Sequence, residues 1–243
     1  MPNFNASPHF HHLLHSLPVA PVVAAIASQP HLFGQHTDRT RAPNSPHREA
    51  TDIWLRYNDH RNLGPTFNDE HDSVWYPAWY ALSELAPLVF GLMHEVQGER
   101  LGGILITKLP PGGQIARHSA HSWHARYYDK FYIALQNAPG SVFSFPDGDI
   151  HAQAGDCYWF DNNVPHSVHN QSGQDRLSLI GCIKTDLFKE SRHAAPQNQR
   201  QGGGFNGQIS EYLARPDSLH CKPLSTSCTN TYEIITKAFG NVL

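Results

Sequence analysis

From Gly103 onward the chain is cut into short apolar runs, "GILITKL", "KFYIALQ", "SVFSF", "DCYWF", "HSVHN" and "RLSLIGCIK", set apart by Pro-Gly, Asp-Gly and Ser-Gly turns. Many short strands with frequent turns predict a mainly β fold, a double-stranded β-helix of jelly-roll, cupin-like form. Helices are expected only at its flanks. "TDIWLRYND" alternates apolar and polar residues as a strand does, and "VWYPAWYALSELAPLVFGLMHEV" carries aromatic and aliphatic residues at helical spacing, with Pro87 requiring a break or kink.

The 243 residues suffice for one well-buried core with terminal additions. Residues 1–50 read as an N-terminal arm, ending in irregular surface chain around "RTRAPNSPHREA", where little function is expected. Residues 51–188 form the catalytic β-helix with its supporting helices. Residues 189–243 read as a linker, "QNQRQGGGFNGQ", and a C-terminal helical extension.

A net charge of −3 with 16% charged residues gives neither a basic field for nucleic acid nor a polybasic membrane patch, so a small-molecule substrate is expected. Cys157, Cys182, Cys221 and Cys228 show no CxxC spacing, which argues against a zinc site or a disulfide framework and for a reducing compartment. The N-terminus lacks a basic leader region, and its apolar run from Val19 to Ala27 is interrupted by Pro21 and too short to span a bilayer. A soluble, cytoplasmic protein is expected; the oligomeric state is not legible. Of the 18 histidines, twelve lie outside residues 118–169, and the "HFHHLLH" cluster reads as part of a frayed terminus rather than a metal site.

The chemistry concentrates in three places. His118 opens an H-x-A triplet, His166 follows 48 residues later in "FDNNVPHSVHN", and Arg176 ten residues after that. Alternate strand residues share a face, so His118 and Ala120 point one way, as do Arg176 and Ser178. Two imidazoles suit iron, and a guanidinium suits a carboxylate. A metal beside such a clamp points to a keto-acid co-substrate.

"LPPGGQIARH", "DKFYIAL", "YWFDNNVPHSVHN" and "RLSLI" resemble, in order and spacing, the aspartyl/asparaginyl β-hydroxylase family of iron(II)/2-oxoglutarate oxygenases. The resemblance implies a double-stranded β-helix using iron(II), 2-oxoglutarate and O2, with His118 and His166 on the metal and Arg176 on the distal carboxylate of 2-oxoglutarate. Ser178, Lys130 and Tyr132 join the co-substrate contacts; the lysine and tyrosine stand where the family often has Arg and His. Ala120 stands where small relatives read His-x-Asp, so the carboxylate of the facial triad is missing. Water fills such a position in two-histidine hydroxylases. Chloride fills it in the iron/2-oxoglutarate halogenases, which resemble one another in carrying Ala or Gly there. The alanine favours halogenation of an aliphatic C–H bond; a two-histidine hydroxylase is the alternative, and a non-catalytic cupin-like binding protein the second.

Neighbouring residues have plainer readings. His121 and His124 are expected on a loop, in solvated or supporting roles, with direct ligation the lesser option. His169 should face outward, and Asp161 should serve a turn or support a ligand. Trp75, Tyr76, Trp79 and Tyr80 read as core rather than as a substrate mouth, and Arg56 as a surface ion pair or an anion clamp.

Overall fold

The structure, a computed structural model, describes residues 7–62 and 69–188. The alternating runs become eleven strands among these residues: β1 (Phe10–Leu14), β2 (Thr51–Tyr57), β3 (Val74–Trp75), β4 (Arg100–Leu109), β5 (Gln114–His118), β6 (Asp129–Gln136), β7 (Ser141–Phe145), β8 (Gly148–Ile150), β9 (Cys157–Phe160), β10 (His166–Asn170) and β11 (Arg176–Lys184). They pair antiparallel into a seven-stranded sheet, β1-β9-β6-β11-β4-β2-β3, and a four-stranded sheet, β5-β10-β7-β8. From β4 to β11 the chain passes repeatedly between the sheets, which is the winding of a double-stranded β-helix.

Five α-helices and two single 3-10 turns, Pro30–Leu32 and His60–Asn62, complete the described fold: α1 (Ala20–Ser28), α2 (Asp38–Arg41), α3 (Pro77–Ala81), α4 (Leu85–Glu95) and α5 (Trp123–Tyr127). Pro87 sits in the first turn of α4, where a missing N–H is tolerated, so the expected break falls before the helix. Leu88, Val89 and Leu92 of α4 are buried, and Val89 and Leu92 meet Ile104, Ile133, Leu179 and Ile183 of the large sheet. With this face covered and the other turned to the small sheet, β4 is buried continuously from Gly102 to Thr107.

Between the sheets, Leu109, Tyr132, Ala134, Tyr158 and Phe160 pack with Ile115, Phe143, Phe145 and Val168. The turn from β4 to β5 needs Gly112 at φ +75°, and its N–H donates to the carbonyl of Asn170 at 2.7 Å. Fully buried Asn170 donates its side-chain amide to the carbonyls of Leu109, Pro110 and Gln174. One side chain thus ties the turn into β5 to the loop that leads into Arg176.

Residues 10–50 are more than an arm. β1 pairs with β9, placing His11 against Trp159 and His12 against Tyr158, so the histidine cluster is an edge strand rather than a frayed end. Its partner lies far along the chain, which local composition cannot reveal. The expected linker and C-terminal helices, residues 189–243, lie outside the described residues.

Candidate active site

A cavity of about 630 Å³ opens between the sheets. His118 ends β5 and His166 begins β10, and antiparallel pairing sets them directly opposite one another with ring centroids 4.4 Å apart. Each ring bonds through Nδ1 to the carbonyl two residues earlier, Ala116 and Val164, both at 2.8 Å. A carbonyl only accepts, so Nδ1 carries the proton and Nε2 keeps its lone pair. Burial lowers the pKa of both; His166, with His118 beside it, falls to about 4. Both rings are therefore neutral near pH 7, the state a metal requires.

Ala120 lies on the cavity wall, just past the end of β5, with its N–H donating to the carbonyl of Asn162 at 2.9 Å. It offers no donor atom. Asp161, the nearest carboxylate in sequence to His166, accepts from the backbone and side-chain amides of Asn163 and serves its turn. Among the described residues no third His, Cys, Asp or Glu joins the two imidazoles. The pair fits iron held by two protein nitrogens, with its other positions left to co-substrate and exogenous ligands.

Arg176 occupies the opposite wall, at the start of β11. It is 3% exposed, its guanidinium lies 4.8 Å from the centre of the Tyr132 ring, and no acidic side chain pairs with it among the described residues. A buried guanidinium without a counter-ion beside a cavity is suited to pair with a carboxylate. Buried Ser178 also lines the cavity with its hydroxyl unpaired, and Tyr132, beside Arg176, is held protonated by burial. Lys130 also reaches the wall, with Nζ 2.7 Å from Sγ of Cys182.

The other histidines divide. His121 is exposed and bonded to Ser119. His124 is not on a loop: Ser122 caps α5 by accepting from the N–H of Ala125, and the helix buries His124 on the cavity wall, stacked on His71 at 5.7 Å. Burial drives its pKa down to about 2, and its Nε2 has no hydrogen-bond partner. His169 is exposed, on the other side of β10 from His166 and Val168. None of Trp75, Tyr76, Trp79 and Tyr80 lines the cavity, and Arg56 stacks on Trp75 instead of facing it.

Sequence reasoning missed one wall. The segment from Asp38 to His47, expected to be functionless surface chain, closes the cavity. Arg39 donates to the Asp52 carboxylate at 2.6 Å and to Nδ1 of His47 at 3.0 Å, while Asp52 accepts from Thr107 at 2.8 Å. His47 then stands edge-on to His118 with centroids 4.8 Å apart. Nothing in the spacing of "RTRAPNSPHREA" announces this; only the Arg and His within it were signals.

The family model for aspartyl/asparaginyl β-hydroxylase matches residues 78–185. No curated protein matches the chain. Among solved structures, an oxidoreductase of the 2OG-Fe(II) oxygenase family from Burkholderia pseudomallei aligns with 79% of this chain and 89% of its own, at 14% identity and a TM-score of 0.48. A Pseudomonas putida prolyl-4-hydroxylase aligns over 73% and 93%, at 20% identity and 0.42. The viral collagen prolyl hydroxylase of Paramecium Bursaria Chlorella virus-1 aligns over 73% and 96%, at 10% identity and 0.43. The stretch similar to the aspartyl/asparaginyl β-hydroxylase family, residues 78–185, is the one that carries His118, His166 and Arg176.

Proposed function

We propose that the protein uses iron(II), 2-oxoglutarate and O2 to functionalise an aliphatic C–H bond of a small molecule, and that chloride takes the ligand position vacated at Ala120. The observation that carries the oxygenase reading is the facing of two neutral imidazoles, each with Nδ1 tied to a backbone carbonyl, by a buried arginine that has no counter-ion. His118 and His166 would hold the metal; Arg176, with Ser178, Tyr132 and Lys130, would orient the keto acid. When bound, iron with its co-substrates supplies the oxidising equivalent that removes the hydrogen. The protein's own part is to present two lone pairs in a fixed register, hold the dianion against the opposite wall, and keep the site shielded within the sheets.

Chloride is favoured over water because Lys130 and Arg176 on the wall have no acidic partner among the described residues, whereas Arg39 is paired with Asp52. A site of this sign attracts an anion that balances the metal's charge. With water instead, the same site is a two-histidine hydroxylase. The enzyme would work in the cytoplasm, in keeping with the free thiols of Cys157 and Cys182.

The test is product mass with candidate substrates, in chloride-free buffer and then with added chloride. Halogenation predicts a chlorine isotope pattern only when chloride is present, and Ala120→Asp should abolish that pattern by supplying a competing anion. A hydroxylated product at every chloride concentration would leave the hydroxylase. Absence of iron-dependent succinate release under all conditions would remove both.

A further inference from the structure

Lys130 of β6 and Cys182 of β11 are cross-strand partners, and their side chains meet on the inner face of the large sheet. The separation of Nζ and Sγ is 2.7 Å. Hydrogen bonds from nitrogen to oxygen span about 2.7 to 3.2 Å, and sulfur is the larger atom, so this pair is closer than an ordinary N–H···S contact. It is also too far apart for a direct S–N bond. The gap accommodates one bridging atom.

We propose that Lys130 and Cys182 form an oxygen-bridged covalent cross-link, Nζ–O–Sγ, with dioxygen as the oxidant. The thiol gives up its hydrogen, the lysine, once deprotonated to the neutral amine, gives up one N–H hydrogen, and S–O and O–N bonds form. The second oxygen atom of O2 leaves as water with those two hydrogens. Sulfur and nitrogen together lose four electrons, and O2 gains four. A dithiol reductant reverses the change: two equivalents return the thiol, the amine and one water, and are themselves oxidised to disulfides. This extends the known oxidation chemistry of cysteine, in which an oxidised sulfur is captured by a neighbouring nitrogen.

The surroundings suit the reaction. Cys182 is 3% exposed, which keeps bulky oxidants away, while Lys130 borders the cavity through which a small apolar gas can enter. Among the described residues no carboxylate pairs with Lys130 to draw its amine from the sulfur. Bridging would convert a cation on the cavity wall into an uncharged nitrogen, so the oxidation state of this pair sets the charge that an anionic ligand meets. Dissolved dioxygen is sufficient, and the inference stands apart from the reaction proposed above.

The experiment is mass spectrometry of the full chain purified in air, with and without dithiothreitol, against protein prepared anaerobically. The unreduced aerobic protein should be heavier than the reduced one by one oxygen less two hydrogens. After trypsin, the peptide containing Lys130 and the peptide 177–184 should be recovered as one species, uncleaved at Lys130, that separates on reduction. Cys182→Ser should abolish the species and Cys157→Ser should preserve it. If Cys182→Ser fails to fold, the aerobic and anaerobic wild-type samples decide alone. Free Cys182, fully alkylated once the unreduced aerobic protein is denatured and accompanied by normal cleavage at Lys130, overturns the proposal. A cross-link that lacks the oxygen mass overturns it as well.

Discussion

Two walls of the cavity present imidazoles to the same space, and they present opposite atoms. On the small sheet, His118 and His166 donate from Nδ1 to backbone carbonyls, which leaves a lone pair on each Nε2. On the wall built by residues 38–47, His47 faces a guanidinium that can only donate, so its Nδ1 must accept and its proton sits on Nε2. The first arrangement leaves a lone pair that suits a metal and the second makes a hydrogen-bond donor. Burial is common to all three: it lowers the pKa of each, and for His47 the charge of Arg39 lowers it further. What separates a ligand from a donor is the partner on the far nitrogen.

Metal binding gives the largest expected contrast. His118→Ala and His166→Ala should each abolish stoichiometric iron(II) binding in anaerobic titration, since two protein ligands leave no redundancy, whereas His47→Ala should keep it. Loss of iron in the His47 variant would break the division between the walls.

Next is the opposite wall. Arg176→Ala should weaken 2-oxoglutarate by about 2 to 5 kcal/mol, well over tenfold in Kd, because it removes the buried partner of a desolvated anion. Isothermal titration without oxygen measures it, and wild-type affinity in the variant would place the co-substrate elsewhere.

The support of His47 should show in stability. Asp52 is buried and paired with Arg39, so Arg39→Ala strands a carboxylate and should cost about 3 kcal/mol in urea unfolding. Adding Asp52→Asn should recover part of that loss. If the double variant is no better than the single one, the arginine acts by packing and not by charge.

The smallest effect is one of pH. His124 has a folded pKa near 2, below the ordinary 6.5, so the unfolded chain takes up the proton first. Stability from this group is complete above pH 6.5 and declines as pH falls toward 2. Between about pH 7.5 and pH 5 the metal-free protein should lose about 2 kcal/mol through it. His124→Phe should flatten that part of the profile; an unchanged slope would mean that the ring is not held neutral.

Much of the β-helix was legible because strands repeat every two residues and turns need Gly, Pro or Asp, both of which are local properties. β4, β6 and β11 lie where their apolar runs are, and α4 where the helical spacing is. β1 was not legible, since an edge strand is defined by a partner elsewhere and the histidines of "HFHHLLH" do not alternate with a clear apolar face. α5 left a faint signal in Ser122, an N-cap residue followed by a single helical turn. That turn is what carries His124 into the cavity.

Local pattern sets the alternation that turns His118 and Arg176 inward, the order of the two histidines and the arginine, and the missing carboxylate at Ala120. Contacts between distant segments set which imidazole nitrogens are free, bring a segment from the first fifty residues over the site, and lay Lys130 against Cys182. The division has a physical cause. Periodicity fixes the face on which a side chain emerges, whereas a tautomer, a cavity wall or a cross-strand contact depends on what a distant part of the chain sets beside it.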